Sequence, residues 1–195
     1  ICNSLFTAQM PVASSAKITG SYEMTEVIPS NLFNRRVVGG EFLIANKYLI
    51  EDFEDLGLWS ESFKNEIIMH EGSIQNINFN KFLDPTEKHY EKKIKRIEHL
   101  IQKYRTIWEV SQRELIDMAA DRGAFICQSQ SLNLWVEDPT YNTLTSMHFY
   151  SWKKGLKTGI YYLRRKAKHQ AQQFTIEPEK KVSEEKEDIC ESCSA

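Results

Sequence analysis

The sequence predicts an α/β fold with parallel strand pairing. Short apolar runs of strand character alternate with stretches in which apolar residues recur at spacings of three and four, the pattern of strands joined by amphipathic helices. At 195 residues and 41% apolar composition, the chain is long enough for one domain with a sizeable core. No internal repeat is visible. A net charge of −2 provides no broad basic field for a polyanion, so nucleic acid is not an expected partner. No apolar run reaches membrane length and no basic-then-apolar leader is present, which makes a cytoplasmic location the default expectation.

The elements follow in order. Residues 3–10 read as a buried strand, and "MPVASSAKI" as a turn into a helix, with Pro11 at its entrance and Ser14 and Ser15 in its first turn. Because Ile1 opens directly in a strand-like run, the chain is expected to be the C-terminal part of a longer polypeptide, with N-terminal processing as the alternative. Arg35–Trp59 mixes an apolar helix pattern with a Gly39-Gly40 break. "SESFKNEIIMHEGSI" offers Ser60 as a helix cap and Gly72 as a stop. From Pro85 to Leu115 the set Tyr90, Ile94, Ile97, Ile101, Tyr104 and Trp108 predicts one long amphipathic helix. "AFICQSQSLNLWV" reads as a strand, "TSMHFYSWKKGLKTG" as a helix closed by Gly159, and "IYYLRRK" as a final strand. Residues 177–195 lose all apolar periodicity and are expected to form a flexible acidic tail behind a domain spanning 1–176.

Three places are candidates for chemistry. Small residues and serines at Val12, Ala13, Ser14 and Ser15 are first the pattern of a plain helix cap, with an anion site as the alternative. Cys190 and Cys193 are two thiols separated by two residues, which suits either an exchangeable disulfide or a chance pair of exposed thiols. No second cysteine pair or histidine cluster accompanies them, so no zinc site is expected. The glutamates around them disfavour the thiolate. Cys2 and Cys127 lie in apolar runs and are read as small core residues, and His148 and Trp152 as helix packing. The third place is Tyr161-Tyr162. A regular strand would point the two rings to opposite faces, and tyrosine is a good strand former, so packing is the plain reading.

The stretches "NSLFTAQMPVASSA", "NRRVVGGEF", "GLWSESFKNEII", "GSIQNI", "IWEVSQRELIDMAADRGAFICQSQSLNLWVEDP" and "LTSMHFYSWKKGLKTGIYYLRR", with the terminal "CESC", span nearly the whole chain. Together they resemble the C-terminal region of the large, catalytic subunit of class I ribonucleoside-diphosphate reductases of the eukaryotic and viral type. The resemblance implies the closing part of a ten-stranded α/β barrel made of two five-stranded halves. It implies that Val12, Ala13, Ser14 and Ser15 bind the substrate diphosphate, with Val12 replacing a common threonine. It also implies that Tyr161 and Tyr162 relay an oxidising equivalent toward an active-site cysteine, Tyr161 nearer that cysteine and Tyr162 nearer the subunit interface. Cys190 and Cys193 would be the shuttle dithiol, reduced by thioredoxin or glutaredoxin.

The implied partners are the radical-bearing small subunit, a ribonucleoside diphosphate and a second large subunit. The implied cofactors lie outside this chain: the small subunit's metal and tyrosyl radical, and ATP or deoxynucleotide effectors. The family's reactive cysteines and its acid/base glutamate have no counterpart here, so the chain alone is expected to be inactive, and because half a barrel leaves open strand edges and apolar faces it is expected to be poorly folded. The other function class is a truncated, non-catalytic binding module. "TEKHYEKKIKRIEHLIQKY" lengthens a helix relative to the family pattern.

Overall fold

A computed structural model describes residues 4–86 and 89–166. Cys2, the tail 177–195 and its two cysteines lie outside them. The described elements are helix α1 (Ala13–Thr19), strands β1 (Leu32–Val37) and β2 (Gly40–Ala45), helices α2 (Lys47–Asp55), α3 (Glu61–Met69), α4 (Tyr90–Lys103) and α5 (Gln112–Gly123), strand β3 (Leu134–Trp135), helix α6 (Tyr141–Lys153) and strand β4 (Leu163–Arg164). No described helix is long and apolar enough to cross a membrane.

Local chemistry explains most helix starts. Asn46, Ser60, Ser111 and Thr140 each accept a first-turn N–H with a side-chain oxygen, so α2, α3, α5 and α6 begin where an orphan donor finds a partner. The Arg35–Trp59 segment departs from its helical pattern: β1 and β2 pair antiparallel from Leu32↔Ala45 to Val37↔Gly40, and Gly39-Gly40 falls at the hairpin turn. Only from Lys47 does a helix form.

The long helix expected over 85–115 is three elements. After α4, the Tyr104 carbonyl accepts from the buried Asn31 amide (2.9 Å), and Thr106 and Glu109 close a capping box on a short 3-10 turn, Ile107–Glu109. Local side-chain bonds therefore compete with helix continuation, and Ser111 starts α5 afresh.

The expected strand at 3–10 is largely irregular. Leu5 and Phe6 are exposed, and the segment joins its neighbour through one parallel bridge, Gln9↔Gln130, flanked by N–H bonds from Gln128 to the Thr7 carbonyl and from Ser131 to the Gln9 carbonyl. The strand expected over 124–136 contracts to this bridge and β3. β3 pairs parallel with β4, Leu134 opposite Leu163 and Trp135 opposite Arg164. Helix α6 ends before Gly155, which adopts φ 80°. Gly159, expected to be the stop, instead lets the chain pass α6 closely. A Cβ there would stand 3.2 Å from His148 Nδ1 and 3.3 Å from Ser151 Cβ.

Two cores result. In the first, Phe53, Phe63 and Phe79 cluster, with Phe53 and Phe63 centroids 4.7 Å apart, among Leu49, Ile67, Ile74, Ile97 and Leu100. Asp52 ties α2 to the end of α4, accepting from Arg96 (2.9 Å), Lys103 (2.6 Å) and the Tyr104 hydroxyl (2.5 Å). In the second, Ile116 and Ala119 of α5 and Met147 of α6 cover Leu132 and Leu134. This second core fixes the segment against which the tyrosines are laid.

Candidate functional site: a bulged tyrosine pair

Tyr161 and Tyr162 precede β4 rather than lying within it. In a regular parallel ladder, one residue would donate its N–H to Leu132 and accept at its carbonyl from Leu134. Here Tyr161 donates to the Leu132 carbonyl (2.7 Å), whereas Tyr162 accepts from the Leu134 N–H (3.0 Å). Two residues thus stand opposite Asn133, a bulge that removes the alternation of faces. The ring centroids lie 4.3 Å apart at 57°, and both side chains are half exposed. The neighbouring Tyr162 hydroxyl pushes the Tyr161 phenol above its ordinary range, favouring the protonated form.

Asn133 is itself held in place. Its side-chain amide donates to Glu26 Oε1 (2.6 Å), and both residues are buried. Burial pushes the Glu26 carboxyl up, against the opposing pull of Asn133. The Trp135 indole N–H faces the same carboxyl at a geometry short of a hydrogen bond. Tyr22 is pushed up to about 12 by burial and by the charges of Glu26 and Glu23, with Arg164 pulling the other way.

From the bulge onward, regular pairing resumes, with the Val136 N–H donating to the Arg164 carbonyl (2.9 Å). Period-two alternation then lines up Tyr162, Arg164 and Lys166. The Arg164 guanidinium sits 4.8 Å from the Tyr162 ring centroid and 6.0 Å from that of Trp135. Lys166 Nζ lies 5.8 Å from the Trp108 centroid, and Trp108 meets Trp135 edge-on at 5.4 Å. Glu71 and Glu137 each pair with Lys166 at 3.1 Å, whereas among the described residues no carboxylate lies in ion-pair range of Arg164.

The other sequence candidates lie apart from this cluster. Val12, Ala13, Ser14 and Ser15 are exposed at the start of α1, where no side chain caps the helix. The Val12 N–H is engaged by the Glu23 carbonyl (3.1 Å), so the donors expected at this position reduce to those of the first turn. Cys127, read as a core residue, is only half-buried. A hydrogen bond from the Thr7 hydroxyl (3.4 Å), with neighbouring backbone donors and Lys157, lowers its thiol to about 7. Composition hid this, because "FICQ" looks apolar while the partners come from residue 7 and residue 157. Glu26, Asn133, Arg164 and Trp135 were not singled out by sequence reasoning; the period-two run Tyr162-Arg164-Lys166 is a local signal that could have found Arg164.

The family model described as ribonucleotide reductase, barrel domain, matches residues 1–162, so the chain belongs to that family. Large subunits of ribonucleoside-diphosphate reductase are among its relatives: that of Dictyostelium discoideum is 51% identical over 90% of this chain and 18% of its own length, and that of Caenorhabditis elegans 49% over 91% and 20%. The class Id ribonucleotide reductase alpha subunit of Actinobacillus ureae superposes with a TM-score of 0.57 at 25% identity, covering 80% of this chain and 25% of that one. The chain thus spans about a fifth of the length of the curated relatives it matches.

Proposed function

We propose that this chain supplies the tyrosine relay of a ribonucleoside-diphosphate reductase large subunit, whose complete polypeptide reduces ribonucleoside diphosphates to deoxyribonucleotides by radical chemistry. The observation that carries the reading is the 4.3 Å contact between two phenols that a regular strand would separate. In the relay step, a phenoxyl at Tyr162 takes an electron and a proton from Tyr161. The Tyr161 O–H bond breaks, a Tyr162 O–H bond forms, and the oxidising equivalent moves one ring inward. Moving the proton with the electron leaves both rings neutral, so the step creates no charge on either phenol. The initial oxidant is a tyrosyl radical on a small subunit.

The remaining assignments rest on the family resemblance. The exposed backbone and hydroxyls of Ala13, Ser14 and Ser15, with Val12, take the substrate diphosphate. Cys190 and Cys193 return reducing equivalents as a dithiol that thioredoxin or glutaredoxin regenerates. The reading is tested in the full-length subunit assayed with its small subunit. Tyr161→Phe and Tyr162→Phe should each abolish turnover while leaving nucleotide binding unchanged, because each removes one hydroxyl and almost no volume. Undiminished turnover in either variant would exclude the relay.

A further inference from the structure

We propose that Arg164 and Lys166 insulate the tyrosine pair from the Trp135–Trp108 indole pair, keeping an oxidising equivalent on the phenols. The inference rests on the tyrosine-relay reading above. Trp135 and Tyr162 share a single guanidinium, and Trp135 leads edge-on to Trp108. Indoles so close to a phenoxyl are competing electron donors.

The competing step has a defined balance. Tyr162 phenoxyl would take an electron from Trp135 and a proton from water, breaking a water O–H bond and forming the Tyr162 O–H bond, with hydroxide released to solvent and Trp135 left as a radical cation. Phenol oxidation with proton loss creates no net charge, whereas indole oxidation by electron loss alone creates a cation. A fixed positive charge beside the indole therefore opposes the leak far more than it opposes the relay. Arg164 holds that position with no carboxylate in ion-pair range among the described residues. Lys166 repeats the arrangement over Trp108, tempered by Glu71 and Glu137.

The test uses the full-length subunit with its small subunit under air, so that dioxygen traps oxidised indoles. The readouts are tyrosyl radical lost per product formed, by electron paramagnetic resonance, and oxygen added at Trp135 or Trp108, by peptide mass spectrometry. Arg164→Gln should raise radical loss per product about fivefold, the scale of one exposed cation–π contact, and should mark the tryptophans with oxygen. Arg164→Lys should remain near the unsubstituted protein, and adding Trp135→Phe to Arg164→Gln should restore its radical loss to the original level. Unchanged loss in Arg164→Gln, or loss that persists with Trp135→Phe, would overturn insulation. Should Arg164→Gln not turn over at all, the double variant decides: recovery supports the leak and continued inactivity contradicts it. Normal turnover in Tyr162→Phe would instead defeat the relay, whereas an inactive Tyr162→Phe beside an unaltered Arg164→Gln would defeat insulation alone.

Discussion

The rings of Tyr161 and Tyr162 stand 4.3 Å apart because these two residues occupy the place of one opposite Asn133. Ring proximity is thus a backbone property, set by which residue donates to Leu132 and which accepts from Leu134. The buried pair Asn133 and Glu26 holds the opposing strand from behind, and the close passage of Gly159 past α6 sets the approach.

That approach is sensitive to one methyl group. Gly159→Ala would place a Cβ tighter than ordinary contact against His148 and Ser151, the latter buried. We expect a loss of about 1–3 kcal/mol in stability, as for other overpacked sites, with a shift in the Tyr161 and Tyr162 aromatic resonances. Thermal denaturation and NMR would check both, and unshifted resonances would show that the bulge does not depend on this contact.

Glu26 should make stability fall as pH rises. Its folded pKa is raised by burial, so its contribution is fully present below the unfolded value of about 4.3 and is lost as pH climbs through the folded value. Glu26→Gln keeps an acceptor for Asn133 and removes the titration. Its stability profile above pH ~4.3 should be flatter than that of the unsubstituted chain; parallel profiles would mean that this carboxyl does not titrate differently on unfolding.

Asp52 works in the opposite sense. Hydrogen bonds from Lys103, Tyr104 and Arg96 hold its carboxyl at about 2. Its contribution is present above the unfolded value of about 3.9 and disappears as pH falls toward about 2. Asp52→Asn should lower stability at neutral pH by about 1–2 kcal/mol and speed amide exchange at the C-terminal end of α4. Unchanged exchange there would show that this carboxylate does not anchor the helix.

Cys127 should alkylate with a pH midpoint of about 7, and Thr7→Val should move that midpoint upward by deleting the hydroxyl donor. Site-resolved mass spectrometry after brief iodoacetamide exposure separates it from the other cysteines. A midpoint in the ordinary thiol range of about 8.5 in both proteins would contradict the assigned hydrogen bond.

Helices were legible in the sequence where capping chemistry is local. Ser60 announces α3, and the apolar period from Tyr90 to Ile101 announces α4. Element ends were less legible, because the stop after α4 depends on Asn31, seventy-three residues away along the chain. The Gly39-Gly40 hairpin was misread as a helix break because Val38 and Phe42, four residues apart, fit a helical spacing while Phe42 and Ile44 fit a strand. At the site, period two correctly implied that a regular strand separates the rings. It carried no information that Tyr161 and Tyr162 divide the hydrogen bonds of one residue, which is a property of the pairing partner.

The most direct test of the relay replaces Tyr161 with 3-aminotyrosine in the full-length subunit and follows the reaction with the small subunit and substrate by electron paramagnetic resonance. The lower potential of the aminophenol makes it a trap for any oxidising equivalent that arrives. The relay predicts loss of the small-subunit tyrosyl signal with matched growth of an aminotyrosyl signal at position 161, and abolition of that growth when Tyr162→Phe is added. An aminotyrosyl signal that forms undiminished without the Tyr162 hydroxyl, or none in the single variant, would contradict transfer through this pair.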